Sequence, residues 1–187
     1  MVYSDIGKEL NDIVKRFFDA KAAVFEKAVA AVEGKLKTGH KILVFGNGGS
    51  AAEAQHFAAE LVNRFARARK PLRAIALTTD TSTLTSIGND SSFEFIFSRQ
   101  VEALGDEGDI ALALSTSGTS PNIIEALKMA RRKNLLAVSL TGAGGGKLGS
   151  LSDYLLDVPS KSTPRVQEVH LLLLHLLAQF LEERLGG

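Results

Sequence analysis

A chain of 187 residues and 20.0 kDa is long enough to bury one substantial core, and 45% hydrophobic with 23% charged residues is the balance of a soluble globular protein, which excludes collagen-like, coiled-coil and disordered classes. Twenty-two Lys plus Arg stand against 21 Asp plus Glu, a formal charge of +1, too small to hold nucleic acid or an acidic membrane nonspecifically. Cysteine is absent, so disulfides, thiolate nucleophiles and Cys-type zinc sites are excluded, and His, carboxylates and amides remain as metal ligands.

The opening MVYSDIGKEL has no apolar signal-peptide core, and the greasiest stretch, Leu171 to Leu177, is interrupted by His175 and too short to span a bilayer. A cytoplasmic protein is expected, without membrane or nucleic-acid partners. Apolar residues at helical spacing from Ile6 to about Val32 predict one long amphipathic helix within an N-terminal segment of residues 1–33. After the turn Thr38-Gly39, the β-branched run Ile42-Leu43-Val44-Phe45 predicts a strand covered on both faces. A Gly-rich turn and a helix from about Ser50 to Phe65 complete the unit. Further strands are expected at Ala74 to Thr78, Ile110 to Leu114, Leu135 to Leu140 and Tyr154 to Val158, with helical segments near Phe93 to Leu104 and Pro121 to Lys133. Strands alternating with helices predict an α/β fold, a doubly wound parallel five-stranded sheet flanked by helices, in a single domain spanning residues 1–187. The last segment, 164–185, is a helix with Leu nearly all round its middle, which implies burial in an oligomer contact. The Gly142 to Gly146 cluster reads as a loop inside the domain.

Ligands of such sheets sit beyond the carboxyl ends of the strands. Gly46-Asn47-Gly48-Gly49-Ser50 follows the first strand and offers backbone N–H groups, a hydroxyl and the positive end of a helix dipole to an anion or polyol. It also fits G-x-G-x-x-A through Ala51, but no acid ends the next strand where a dinucleotide ribose should be held. Ser115-Thr116-Ser117-Gly118-Thr119-Ser120 follows the Ile110 to Leu114 strand and leads through Pro121 into a helix. Five hydroxyls in six positions exceed what one cap requires and suit a phosphate monoester. His56 and Glu60 share one helix face and could bind a metal, transfer protons or merely touch. Gln167, His170 and His175 interrupt the Leu-rich helix; Gln167 and His175 stand roughly 12 Å apart along it, able to flank one ion or substrate from opposite sides or from different subunits. Asn89-Asp90, after Gly88, are candidates for sugar hydroxyls, though Gly-Asn-Asp is also turn chemistry. The basic run from Arg64 to Lys70 reads mostly as a solvated face, with Arg64 nearest the Glu60 turn.

Taken together and in order, Gly46-Asn47-Gly48-Gly49-Ser50, His56-Phe-Ala-Ala-Glu60-Leu, Gly88-Asn89-Asp90, Ser115-Thr116-Ser117-Gly118 with Ser120, and Arg165-Val-Gln167-Glu-Val-His170 through His175 closely resemble the sugar isomerase (SIS) superfamily and, within it, the phosphoheptose isomerases. The resemblance covers nearly the whole chain. It implies that Asn47, Gly48, Gly49, Ser50, Glu60, Asn89, Asp90, Ser115, Thr116, Ser117, Ser120 and Gln167 bind the sugar phosphate. It further implies that His56, Glu60, Gln167 and His175 bind zinc, one ion per subunit, and that Glu60 and His175 carry the acid/base roles. A four-helix-bundle-centred homotetramer with active sites between subunits is also implied. So is the reversible conversion of sedoheptulose 7-phosphate to a manno-heptose 7-phosphate, for the heptose of bacterial surface glycans such as lipopolysaccharide. Pro164 departs from members that carry an acid before the Arg. Two alternatives stand beside this reading: a noncatalytic adaptor of the same fold that binds a replication initiator, whose pattern lacks the acid and final histidine present here, and an isomerase of another sugar phosphate.

Overall fold

The computed structural model describes residues 3–186; the expected domain span of 1–187 also takes in Met1, Val2 and Gly187, which lie outside the described residues. Helix α1, Tyr3–Lys37, runs longer at both ends than its apolar stripe. Its buried residues Ile13, Phe17, Phe25, Val29 and Val32 keep helical spacing, and the Glu33–Lys37 pair, 2.5 Å apart, carries the helix past Gly34. Then follow β1 (Ile42–Gly46), α2 (Gly49–Val62), β2 (Ala74–Ala76), α3 (Thr81–Asp90), α4 (Ser98–Leu104), β3 (Ile110–Ser115), α5 (Pro121–Arg132), β4 (Leu136–Thr141), β5 (Tyr154–Asp157) and α6 (Thr163–Leu185). All strand pairs are parallel, in the order β2-β1-β3-β4-β5. Alternate residues of the strands feed two cores: Ile42, Val44, Ile110 and Leu112 pack with α1, α2 and α6, while Leu43, Phe45, Ala111 and Ala113 pack with Phe97, Val101 and α5. This is the expected sheet covered on both faces, and it explains why the strands read as continuous apolar runs.

Several boundaries differ from the sequence reading. Helix α3 was not anticipated, because TSTLTSIGND is poor in helix formers and no residue of it is fully buried. It starts because Asp80 accepts from Thr83 N at 3.0 Å and Thr83 Oγ1 at 2.7 Å. Gly88-Asn89-Asp90 is accordingly the last turn of a helix, not a loop turn. The expected helix from Phe93 to Leu104 divides into a 3-10 turn at Phe93–Phe95 and α4. Strand β2 stops at Ala76, short of Thr78, and α2 stops at Val62, short of Phe65, since the N–H groups of Phe65, Ala66 and Arg67 are drawn to the Glu182 carboxylate on α6. Residues Gly146–Leu151 wind into a second 3-10 turn. On α6 the leucines are covered within one chain to a greater extent than their density implies: Leu173, Leu174, Leu177 and Leu181 are buried against α1 and the sheet, while Leu171, Leu172 and Leu176 are half-buried. No helix of the described residues is long and apolar enough to cross a membrane.

His170, one of the polar insertions on α6, is a core residue. It is fully buried and its Nε2 lies 3.1 Å from the Thr141 carbonyl oxygen, to which it donates as the neutral ring. Burial pushes its pKa down to about 4, against the pull of that carbonyl. Because the folded value lies below the ordinary 6.5, the unfolded chain takes up a proton that the folded protein refuses as the pH falls from 6.5 toward 4, and stability falls with it. Lowering the pH from 7 to 5 should therefore cost the wild type roughly 2 kcal/mol more than it costs His170→Leu. Denaturant unfolding at the two pH values measures this, and equal costs would contradict it.

Candidate active site

Strand order reverses between β1 and β3, and the loops that leave their carboxyl ends diverge there to open a crevice. A cleft of about 290 Å³ fills it, lined by Asn47 to Ser50 after β1, by Ser115, Thr116 and Ser120 after β3, and by Thr163 and Gln167 at the start of α6. Two larger grooves, of about 420 and 440 Å³, border α3 and are reached by neither cleft loop, and a third, of about 470 Å³, meets only the outer edge of the hydroxyl loop at Thr119.

Each loop is held from behind. Gly48 has φ 56° and ψ −121°, a conformation open to glycine alone. A Cβ on Gly49 would stand 2.5 Å from Gln167 Nε2, so the absence of that atom lets α6 seat its amide against the start of α2. Asn47 and Asn122 exchange two amide hydrogen bonds, 2.9 and 2.8 Å long, which tie the first loop to α5. The second loop rests on the Gly142 to Gly146 run: Gly142 N donates to Thr116 O and Lys147 N to Gly118 O. Here a Cβ on Gly146 would meet Gly118 O at 2.5 Å, and one on Gly118 would meet Gly145 O at 2.4 Å. What read as a plain loop is the floor of the hydroxyl loop. Gly146→Ala should therefore displace Ser115 to Ser120 and weaken inorganic phosphate binding by roughly tenfold, with a stability loss of about 1–3 kcal/mol; calorimetric titration with phosphate measures it, and unchanged affinity would contradict the buttress.

The hydroxyls at the cleft are not consumed in capping α5. Ser120 is the N-cap residue of α5 yet makes no side-chain cap hydrogen bond; its Oγ lies 3.4 Å from Ser115 Oγ. Pro121 begins the helix, where its fixed φ fits and its missing N–H is not needed. Ser117 is exposed and its Oγ accepts from Thr119 N at 3.2 Å, so it stands at the rim and does not line the cleft. A helix N-terminus with uncommitted hydroxyls and N–H groups is an anion seat.

Beyond Gln167, the same pair of helices brings together the second group of residues. His56 and Glu60 meet as i, i+4 neighbours on α2, Nε2 to Oε1 3.2 Å, and His175 Nε2 lies 2.9 Å from His56 Nε2. One ligand atom from each of the three lies within 4.8 Å of the others. Two imidazole nitrogens and a carboxylate oxygen converging from a helix pair form a donor set that fits a divalent ion of zinc type with coordination positions left over. The two rings are tilted with centroids 5.1 Å apart, and the Phe65 ring also packs on His175, at 5.6 Å.

Not every expected residue is brought in. Asn89 and Asp90 lie exposed at the end of α3, where Asn89 Nδ2 donates to Asp90 Oδ1 at 2.8 Å; Asp90 lines a different groove, with Ser86, Phe95 and Arg99. The basic run is mostly solvated, as expected, with one exception. The Arg69 side chain is fully buried and bonds the carbonyls of Glu60 and Leu61, whereas Arg64 stays exposed. Three participants escaped the sequence reading: Asn122, Thr163 and Glu53. Gly49, Glu53, His56 and Glu60 are spaced i, i+4, i+7 and i+11, one stripe of α2, so Glu53 stands between the cleft and the His–Glu–His group. Burial pushes its carboxyl up to about 7, although the Ser50 hydroxyl favours the charged form, and Oε2 has no hydrogen-bond partner. The spacing was visible in the sequence; the burial was not.

Residues 7–142 match the family model of the SIS domain. The chain is 59% identical over 148 residues to phosphoheptose isomerase 1 of Campylobacter jejuni, covering 79% of this chain and 80% of that one, and 56% identical over 188 aligned positions to the phosphoheptose isomerase of Aromatoleum aromaticum, covering 97% and 95%. Its fold superposes on phosphoheptose isomerase GmhA from Neisseria gonorrhoeae with a TM-score of 0.91 at 41% identity, over 96% of each chain. The phosphoheptose isomerase from Francisella tularensis gives 0.90 at 36% identity, over 98% and 100%.

Proposed function

This chain belongs to the SIS domain family and, within it, to the phosphoheptose isomerases, and from that membership we propose that it is an aldose-ketose isomerase interconverting sedoheptulose 7-phosphate and D-glycero-D-manno-heptose 7-phosphate. The observation that carries the reading is the junction of two groups along one pair of helices. Donors at the starts of α2 and α5 face a cleft closed by Gln167, and two turns further along α6, His175 meets His56 and Glu60. A phosphate held at the first group leaves the sugar carbons free to extend toward the second.

The reaction moves one hydrogen between C1 and C2 and one between the two oxygens. Glu60 takes a proton from C1 of the ketose, the C1–H electron pair becomes the C1–C2 double bond of an enediol, and the Glu60 carboxyl, having exchanged its proton with solvent while the enediol is bound, delivers one to C2. His175 accepts the proton of the C1 hydroxyl and supplies one to the C2 oxygen, so that no atom is gained or lost. His56, Glu60, Gln167 and His175 would hold zinc, one ion per subunit. Bound there, it supplies Lewis-acid polarisation of an oxygen. Ser115, Thr116, Ser117 and Ser120 with the N–H groups of Gly48 and Gly49 receive the phosphate, while the Ser50 N–H donates to Asn47 O at 3.0 Å and shapes the turn. The finer reading takes the whole chain as one SIS domain acting in the cytoplasm as a homotetramer built on α1 and α6, supported by the half-buried Leu10, Val14 and Phe18 of α1 and Leu171, Leu172 and Leu176 of α6. It assigns Asn89 and Asp90, which are exposed at the end of α3 and do not line their own cleft, to the site of a neighbouring copy.

Ser120→Ala tests the phosphate seat. Because this hydroxyl caps nothing, stability should change by under about 1 kcal/mol, while affinity for sedoheptulose 7-phosphate falls roughly tenfold through loss of one charge-assisted hydrogen bond. Binding of unphosphorylated sedoheptulose should not move. Equal losses for both sugars would sink the assignment.

A further inference from the structure

Between α2 and β2 the chain makes a loop whose backbone is fixed by a buried ion pair that the isomerase reading leaves without a part. Glu182, on the last turns of α6, is 4% exposed. Its carboxylate accepts three successive backbone N–H groups, from Phe65 at 2.9 Å, Ala66 at 2.9 Å and Arg67 at 2.7 Å. The Arg69 guanidinium lies beside it, Nε to Oε2 3.4 Å, and reaches back to the end of α2, donating to Glu60 O at 2.7 Å and Leu61 O at 2.8 Å. Burial pushes the Glu182 carboxyl up, but the three N–H donors and the cation beside it outweigh that and hold it below its ordinary value. The carboxylate is therefore charged at neutral pH and its acceptors stay committed.

Both ends of this arrangement touch the chemistry. Arg69 grips the main chain of Glu60 itself, and Glu182 sets the position of Phe65, whose ring packs on His175 with centroids 5.6 Å apart. His175 lies seven residues before Glu182 on α6, two turns along one face, so the clamp and the imidazole are carried on a single rigid element. We infer that Arg69 and Glu182 are positioning residues of the isomerase: the pair locks the loop of residues 63–69 between α2 and α6, and through Phe65 and the Glu60 main chain it fixes the His175 ring and the Glu60 carboxylate in the relation proton transfer needs. A buried ion pair retained solely for stability could be exchanged for apolar packing. This one is engaged by six backbone groups, the carbonyl of Lys70 among them; one of its contacts ends on Glu60 itself and another on Phe65, whose ring packs on His175.

The inference rests on the isomerase reading for its kinetic arm and is independent of it in its spectroscopic arm. Glu182→Gln places an amide N–H₂ or a single neutral oxygen where three N–H groups seek a carboxylate. In the folded protein kcat with sedoheptulose 7-phosphate should fall roughly 10- to 100-fold while KM changes less than about threefold, since the phosphate loops are untouched. The ring ¹H–¹⁵N correlations of His175 should shift, with those of His40 and His170 in place as internal references. Phe65→Leu leaves every backbone donor of the clamp intact and removes only the ring against His175; it should lower kcat by roughly 3- to 10-fold with the same histidine signal displaced. It serves where Glu182→Gln does not fold. A drop in thermal stability accompanied by wild-type kcat and an unmoved His175 signal, in whichever of the two variants folds, would overturn the proposal. Absence of turnover by the wild type would instead defeat the isomerase reading, and the His175 signal would still decide the clamp.

Discussion

Glu60→Gln should lower kcat for sedoheptulose 7-phosphate by roughly 10²- to 10⁴-fold while leaving substrate binding close to that of the wild type. The amide keeps the size of the side chain and an oxygen that can face His56, 3.2 Å from Glu60 Oε1 in the native arrangement, but it cannot accept a proton from carbon. The backbone at this position is held by Arg69 through the Glu60 carbonyl, so the exchange should be local and the fold unchanged. Pre-steady-state and steady-state turnover measure the first part and equilibrium binding the second. A Glu60→Gln enzyme that turns over within a few-fold of the wild type would remove the carboxylate from the proton path.

The second large effect concerns the opposite end of the sheet. Asp109, 1% exposed, immediately precedes β3; its Oδ1 accepts from Lys41 N at 2.9 Å and its Oδ2 from Asp106 N at 2.8 Å and Lys41 Nζ at 2.5 Å. Lys41, itself 8% exposed, precedes β1, so one carboxylate joins the starts of the two central strands. Asp109→Ala leaves the Lys41 ammonium with Asp106 alone, 2.7 Å away, and takes the acceptor from the buried Lys41 N–H and the partly buried Asp106 N–H, and should destabilise the protein by about 2–4 kcal/mol. Turnover of the fraction that remains folded should be unchanged, because the catalytic loops leave the other ends of the same strands. Burial pushes the Asp109 carboxyl up, but Lys41 and the backbone donors more than offset it and hold it low. Its contribution is thus fully present above its ordinary value of 3.8 and is lost as pH falls through the lower folded value. Lys41→Met combined with Asp109→Leu should recover much of the loss; a single Asp109→Ala variant unfolding within 1 kcal/mol of the wild type would contradict this account.

The parts legible in the sequence were those written in local pattern. Apolar runs such as Ile42 to Phe45 and Ile110 to Leu114 exposed the strands. The glycines from Gly46 to Gly49 and the hydroxyls from Ser115 to Ser120 marked their carboxyl ends, and His56 with Glu60 disclosed a shared helix face. What stayed hidden depends on partners far apart in the chain. Helix α3 is launched by Asp80 and carries too little apolar patterning to announce itself. Asn47 is oriented by Asn122, 75 residues on, and the loop after α2 by Glu182, more than 110 residues on; neither pairing leaves a periodic trace. Arg69 sits in a run of cations whose members look alike until one side chain is buried. Asn89 and Asp90 matched a family motif, but within one chain the end of α3 does not bring them to the cleft, and their part in binding is a question about the assembly.

The central claim, proton transfer between C1 and C2 by Glu60 and His175, is tested most directly by incubating sedoheptulose 7-phosphate with the purified, metal-analysed protein in deuterium oxide and following the carbon-bound hydrogens by NMR. The account predicts an aldoheptose 7-phosphate carrying solvent deuterium at C2 and recovered ketose labelled at C1, both abolished in Glu60→Gln. Product formed without any carbon-bound deuterium, or no product from folded protein, would contradict it.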